Sequence, residues 1–198
     1  SRVMYGARVS LVVAVASVGI GLAAGTLLGA VAGYQGGALD TLIMRTMDLL
    51  LAFPYLLLAI VIVAALGPGT INTIIAIAIW AVPNFARVAR SAVLQVKERD
   101  FVSAAKALGA RNQRIMGRHL LPNFLSTLVV YASLYLAYAI LMESSLSYLG
   151  LGVQPPDPSW GNMLSNARTY MWSDPLMTVY PGIMIFLTVL AFNLLGDG

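Results

Sequence analysis

The chain has no cysteine and a single histidine, His119, among its 198 residues. That excludes disulfides, thiolate chemistry and sulfur-bound metals. Charge is equally scarce. Asp, Glu, Lys and Arg make up 10% of the chain, where soluble domains carry about 25%. Hydrophobic residues reach 59%, and the mean hydropathy is +0.83. A soluble fold would lack the polar surface to cover itself, so the chain reads as an integral membrane protein. The net charge of +4 does not point to nucleic acid, because the basic residues gather in one place. Eight of the twelve Lys+Arg lie in one stretch: Arg87, Arg90, Lys97, Arg99, Lys106, Arg111, Arg114 and Arg118. A basic loop between apolar runs marks the cytoplasmic side.

Five spans are expected, at 9–33, 46–66, 71–92, 124–142 and 176–195. Each has about the twenty residues that cross hydrocarbon at about 1.5 Å per residue. The runs lack the period-2 alternation of barrel strands, so they are helices. With the basic loop inside, 67–70 and the loop 150–175 face outward, and 34–45 and the C-terminus face inward. Five spans leave the N-terminus outside, where Arg2 and Arg8 oppose the positive-inside rule. That conflict predicts one further span upstream and a six-helix parent.

Gly21, Gly25, Gly29 and Gly33 recur every four residues in the first run. They form a ridge at which another backbone can approach closely. Pro54 and Pro83 fall inside the second and third runs and are expected to kink them. An ionisable group inside the membrane costs roughly 2.5–3.5 kcal/mol on insertion scales. The few present (Arg45, Asp48, Arg87, Arg90, Glu143) lie towards span ends, where a hydrated or paired role suffices. No deep titratable set suited to a proton- or sodium-driven carrier is visible. Energy for uphill transport would then enter from outside the membrane part.

The basic loop has its own pattern. Phe101, Ala104, Ala105 and Leu108 make one apolar stripe of a short helix. Asp100 is placed to cap its start and Gly109 to end it. A second short helix follows, with Arg111, Arg114 and Arg118 on one face, until Pro122 breaks it. Two explanations compete. The helices lie on the inner leaflet with their arginines among phosphates, or the first presents a flat, Ala-rich face to a groove on a partner protein.

The run Ser103-Ala104-Ala105-Lys106-Ala107-Leu108-Gly109, with Leu121-Pro122 beyond it, resembles the EAA loop of ABC importer permeases. The Ala pair, the Gly and the Leu-Pro stand at that motif's spacing. Ser103 replaces its Glu, which puts any Glu-mediated contact there in doubt. His119 replaces its Ile, as in the Arg-His-x-Leu-Pro-Asn form of peptide and nickel permeases. Arg45-Thr46-Met47-Asp48 with Phe53-Pro54 is similar to the same subgroup. So are Tyr5 to Leu11, the stretch from Glu143 to Gly152, and Pro155-Pro156-Asp157-Pro158-Ser159-Trp160-Gly161. These matches extend over most of the chain and resemble the second, C-type permease of a dipeptide, oligopeptide or nickel importer.

The resemblance implies an all-α, multi-span transmembrane domain over residues 1–198, in the cytoplasmic (inner) membrane of a bacterium or archaeon. It implies a coupling loop at 97–122. Phe101, Ser103, Ala104, Ala105, Leu108, Gly109, Arg111, Arg114 and Pro122 would meet an ATPase there. A sister permease would complete a heterodimer, two ATPase subunits would hold ATP and Mg2+, and an extracytoplasmic solute-binding protein would deliver cargo. The chain itself has no Gly-x4-Gly-Lys-Ser/Thr loop, so it is expected to bind no ATP, no other cofactor and no metal.

For the outer loop, Pro155 to Pro158 are stiff, and Trp160, Tyr170 and Trp172 suit a membrane interface. Met163, Leu164, Ala167 and Met171 suggest a short helix lying flat. This region reads either as an aromatic anchor or as a lid or docking surface using Pro156, Trp160 and Gly161. Two rival classes remain. A stand-alone ion-coupled transporter predicts damage from changes at Glu143 or Asp48. An intramembrane enzyme needs a nucleophile–base pair or metal cluster within the spans, and His119 has no carboxylate cluster near it in sequence. Peptide is favoured over nickel as cargo, because no intramembrane His or carboxylate set would handle a bare cation.

Overall fold

The computed structural model describes residues 2–97, 99 and 121–197, the side chains of 121–125 and 197 apart. Every regular element among them is helical. Long helices α1 (Arg2–Gln35), α4 (Thr70–Lys97), α5 (Leu121–Tyr148) and α7 (Leu176–Asp197) are apolar and long enough to cross a bilayer. Between them lie α2 (Gly37–Leu51), α3 (Tyr55–Leu66) and the short α6 (Trp160–Ala167), which runs on into a 3-10 turn at Arg168–Tyr170. The protein is an all-helical, multi-pass membrane bundle.

The ridge on α1 lies against α4. A Cβ at Gly21 would fall 2.6 Å from Ala81 Cβ, and one at Gly25 would fall 2.5 Å from Val82 O. One at Gly29 would collide with the Ala86 carbonyl, and one at Gly33 would fall 2.9 Å from Arg90 O. The facing side of α4 is itself small, with Ala78, Ala81, Ala86 and Ala89 buried. Bare backbone against alanine is what lets two helices pack closely where lipid removes the hydrophobic drive.

The second span departs from the expectation. There is no continuous helix over 46–66. α2 begins at Gly37, within the segment read as an inner loop, and the chain breaks at 52–54, where α3 turns away by 92°. α3 alone has 12 residues, about 18 Å, too short for a hydrocarbon core of about 30 Å. The two helices reach spanning length only as a bent pair, not as a straight helix. Pro54 is extended (φ −54°, ψ 130°) and heads α3. Pro83, also expected to kink its helix, sits buried inside an unbroken α4.

α3 returns through Gly67 to Gly69, both at positive φ (94° and 145°). Asn72 Nδ2 donates to the Leu66 and Gly67 carbonyls at 3.0 and 2.9 Å, and so satisfies the end of α3. The Gly69 amide donates to Leu151 O at 3.3 Å, which puts this turn beside the loop that follows α5.

Candidate functional site: two polar joints in an apolar bundle

At the end where α4 enters the basic segment, α2 and α4 are joined by charge. Arg90 Nε and Nη2 donate to Asp40 Oδ1 and Oδ2, both at 2.6 Å. Arg87 Nη2 donates to Asp48 Oδ1 at 2.6 Å. The first pair is half-buried and two-pronged, which adds direction as well as attraction. The second is half exposed, so solvent screens it. Lys97 Nζ donates to Tyr34 O at 2.7 Å and lies 5.5 Å from that residue's ring centre. Arg45 is exposed and has no ion-pair partner among the described residues. The sequence placed Asp48, Arg87 and Arg90 near the inner edge but did not show that they meet; Asp40 was missed.

Beyond the break at 52–54 the chain enters an aromatic cluster. Tyr55, the first residue of α3, lies 6.0 Å from Trp80 of α4. Trp80 lies 5.3 Å from Tyr135 and 6.2 Å from Tyr138 of α5, and Phe85 lies 5.0 Å from Tyr135. Rings at these tilted separations attract through their quadrupoles and hold α3, α4 and α5 in register.

The second joint is at the opposite end. Glu143 was expected near an interface, hydrated or paired. It is instead fully buried, and no cation pairs with it among the described residues. Ser147 Oγ donates to Oε1 at 2.7 Å and Ser144 Oγ to Oε2 at 3.5 Å. Ser10 of α1 and Ser159 also hydrogen-bond to the carboxyl. Each outer hydroxyl is held in turn. Ser147 Oγ accepts from Val153 N at 3.1 Å, Ser159 Oγ from Asn162 N at 3.3 Å, and Ser10 Oγ from Trp160 N at 3.5 Å. A hydroxyl can accept from an amide and still turn its one proton to the carboxyl, as Ser147 does. A carboxyl group ringed by serine hydroxyls keeps hydrogen-bond partners, which is how so polar a group persists in the interior.

Part of the site was legible locally. Ser147 is four residues after Glu143 and so shares its helical face, and Ser159 ahead of Trp160 is an N-cap signature. Ser10 carried no signal.

Two of the three residues read as an outer lid or docking surface are packed into the bundle. Trp160 is fully buried, with Nε1 donating to Val3 O at 3.1 Å, and Gly161 packs so closely on α5 that a Cβ would strike the Ser144 carbonyl. The N-cap at Ser159 turns α6 inward and takes both residues into the bundle. Trp160 is therefore no interfacial anchor either, whereas Tyr170 and Trp172 are exposed. Pro156 is exposed and lines a cavity of about 380 Å³ with Arg2, Asp157, Met163 and Tyr180. The residues assigned to the coupling loop, Phe101, Ser103, Ala104, Ala105, Leu108, Gly109, Arg111 and Arg114, lie outside the described residues; Pro122 falls in the first turn of α5.

With this geometry in hand, comparison with known proteins is decisive. Residues 25–198 match the family of binding-protein-dependent transport system inner membrane components. The chain belongs to that family. Among its relatives is the dipeptide transport system permease protein DppC of Alkalihalophilus pseudofirmus, 50% identical over all of this chain and 65% of its own length. Glutathione transport system permease proteins GsiD are similar as well. That of Pectobacterium atrosepticum is 46% identical and that of Escherichia coli O6:K15:H31 51%, each over all of this chain and 66% and 65% of its own. The chain thus spans about two thirds of the length of these relatives. Among solved structures, the inward-facing MetNI methionine ABC transporter superposes with a TM-score of 0.80 at 18% identity, over 98% of this chain and 93% of the other. An amino acid ABC transporter superposes with a TM-score of 0.68 at 15% identity, over 99% and 91%. For this member of the binding-protein-dependent family, those likenesses fix the fold.

Proposed function

We propose that the chain is the translocating part of a permease subunit in an ATP-driven importer of di- and oligopeptides. It would pair with a sister permease, rest on two ATPase subunits that carry ATP and Mg2+, and receive cargo from a solute-binding protein outside the cytoplasmic membrane. The observation that carries this reading is the match of residues 25–198 to the binding-protein-dependent family, with relatives named for dipeptide and glutathione transport. Glutathione is itself a tripeptide, so both names describe small peptides.

Two features of the chain support the assignment. α4 runs directly into the basic segment that carries Ala104-Ala105 and Gly109, so a partner gripping that segment would move a spanning helix. The stand-alone ion-coupled alternative needs a titratable group open to a pathway. Glu143 is enclosed by hydroxyls, and Asp48 is committed to Arg87.

The test uses the lack of native cysteine in these 198 residues. Ala105→Cys in the full-length chain, freed of any other cysteine and assembled with its ATPases and sister permease, should cross-link to cysteines along the ATPase cleft. The cross-links should change with ATP. An intact complex that cross-links at no cleft position, and whose introduced thiol reacts with lipid-phase reagents instead, would overturn the coupling role.

A further inference from the structure

We infer that α2 is a hinged lever, and that Asp40–Arg90 and Asp48–Arg87 make it follow the inner end of α4 and so set the position of the break at 52–54. The inference deepens the proposed permease function and rests on it.

Among the described residues, both ends of α2 leave room for it to turn. It is preceded by Gly36 and begins at Gly37, both in the left-handed region (φ 69° and 61°), and a Cβ at either would meet nothing within 4 Å. Only glycine takes two such positions in succession without strain. At the other end the chain leaves helical geometry at 52–54, and residues 52–55 are exposed. Met47 is the one buried residue of α2, with Ile43, Met44, Leu50 and Leu51 half-buried beside it.

The polar ties of α2 all go to a single helix, α4. Asp40 and Asp48 lie eight residues apart, about 12 Å along α2, whereas Arg87 and Arg90 lie one turn apart on α4. Two attachments so spaced fix the angle between the helices as well as their separation; one alone would leave a pivot. Lys97, the last residue of α4, is tied to Tyr34 on the other side of the glycine pair. The inner end of α4 thus meets the α1 side of the hinge through one long lysine side chain and the α2 side through two ion pairs, so its displacement changes the angle at Gly36–Gly37. Movement entering at α4 turns α2 about Gly36–Gly37 and displaces Phe53 and Pro54. Those residues adjoin Tyr55 and its ring contact with Trp80. The four charged residues are positioning residues. They transmit movement and need touch no cargo.

The experiment uses the complete assembly in proteoliposomes: full-length chain, sister permease, ATPases and binding protein. Uptake of radiolabelled dialanine is measured against ATP hydrolysed. Asp48→Arg or Arg87→Asp alone should lower uptake per ATP about fivefold or more with hydrolysis largely retained, within the usual range of coupling between sites. The exchanged pair, D48R with R87D, should recover most of the loss, as a paired interaction does in a double-mutant cycle. Singles that keep the unmodified ratio, or an exchange that stays as low as the singles, overturn the lever.

A second variant removes the dependence on charge. D48C with R87C, joined by a short bifunctional thiol reagent, ties α2 to α4 covalently. A lever that moves with α4 keeps its uptake per ATP when tied, and a tied assembly that hydrolyses ATP without uptake overturns the inference. Failure of the permease reading is distinguishable, because then the unmodified assembly itself shows no ATP-dependent dialanine uptake.

Discussion

Ser147 donates to Glu143 at 2.7 Å with the same hydroxyl that accepts the Val153 amide at 3.1 Å. One side chain therefore fastens the loop after α5 to the carboxyl at the centre of the outer joint. Glu143→Ala would leave four buried hydroxyls without their acceptor. Each such loss costs about 1–3 kcal/mol before relaxation, so the variant should be among the least stable single changes in the chain. Glu143→Gln keeps one carbonyl acceptor and should fall between the two. Thermal unfolding in detergent gives the order, and a Glu143→Ala variant as stable as the unmodified protein would refute the joint.

The α1–α4 contact predicts opposite outcomes for two glycines in one helix. Gly29→Ala drives a methyl group into the Ala86 carbonyl and should destabilise by about 1–3 kcal/mol, as overpacking does. Gly19→Ala has open space and should be neutral or stabilising by up to about 1 kcal/mol, because alanine is the better helix former. Unfolding midpoints of the two variants, measured side by side, test this.

Two tryptophans should likewise separate. Trp160→Ala empties a fully buried site and removes the hydrogen bond to Val3 O, for a loss of about 3–5 kcal/mol. Trp172 is 99% exposed, and Trp172→Ala should stay within about 0.5 kcal/mol of the unmodified protein. Of these two, Trp172 should also show the greater quenching by an added collisional quencher. Equal sensitivity at the two sites would contradict the placement of α6.

Hydropathy located the long helices because burial in lipid is a property of whole runs. It did not distinguish the two prolines. Pro54 stands where 52–54 are exposed, so its missing donor becomes a break. Pro83 is buried in α4, the helix clamped against α1, and that packing carries the helix past it. The glycine ridge was legible because its register is local. The ion pairs were not, since Asp48–Arg87 and Asp40–Arg90 join residues 39 and 50 apart in sequence. The outer loop misled for a related reason: an aromatic beside prolines looks interfacial until the Ser159 cap turns it inward.

α7 behaves unlike α1. Only Pro181 and Ile185 of its described side chains are buried, and most of its large side chains face outward. Partition of its own outward side chains into lipid therefore bears more of its placement than for α1, while its other side packs on α5 and α6. During synthesis such a helix can insert and wait as an independent membrane segment. Apolar exchanges on its outward face then meet no neighbour in the bundle, whereas a side chain at Gly21, Gly25, Gly29 or Gly33 of α1 strikes α4.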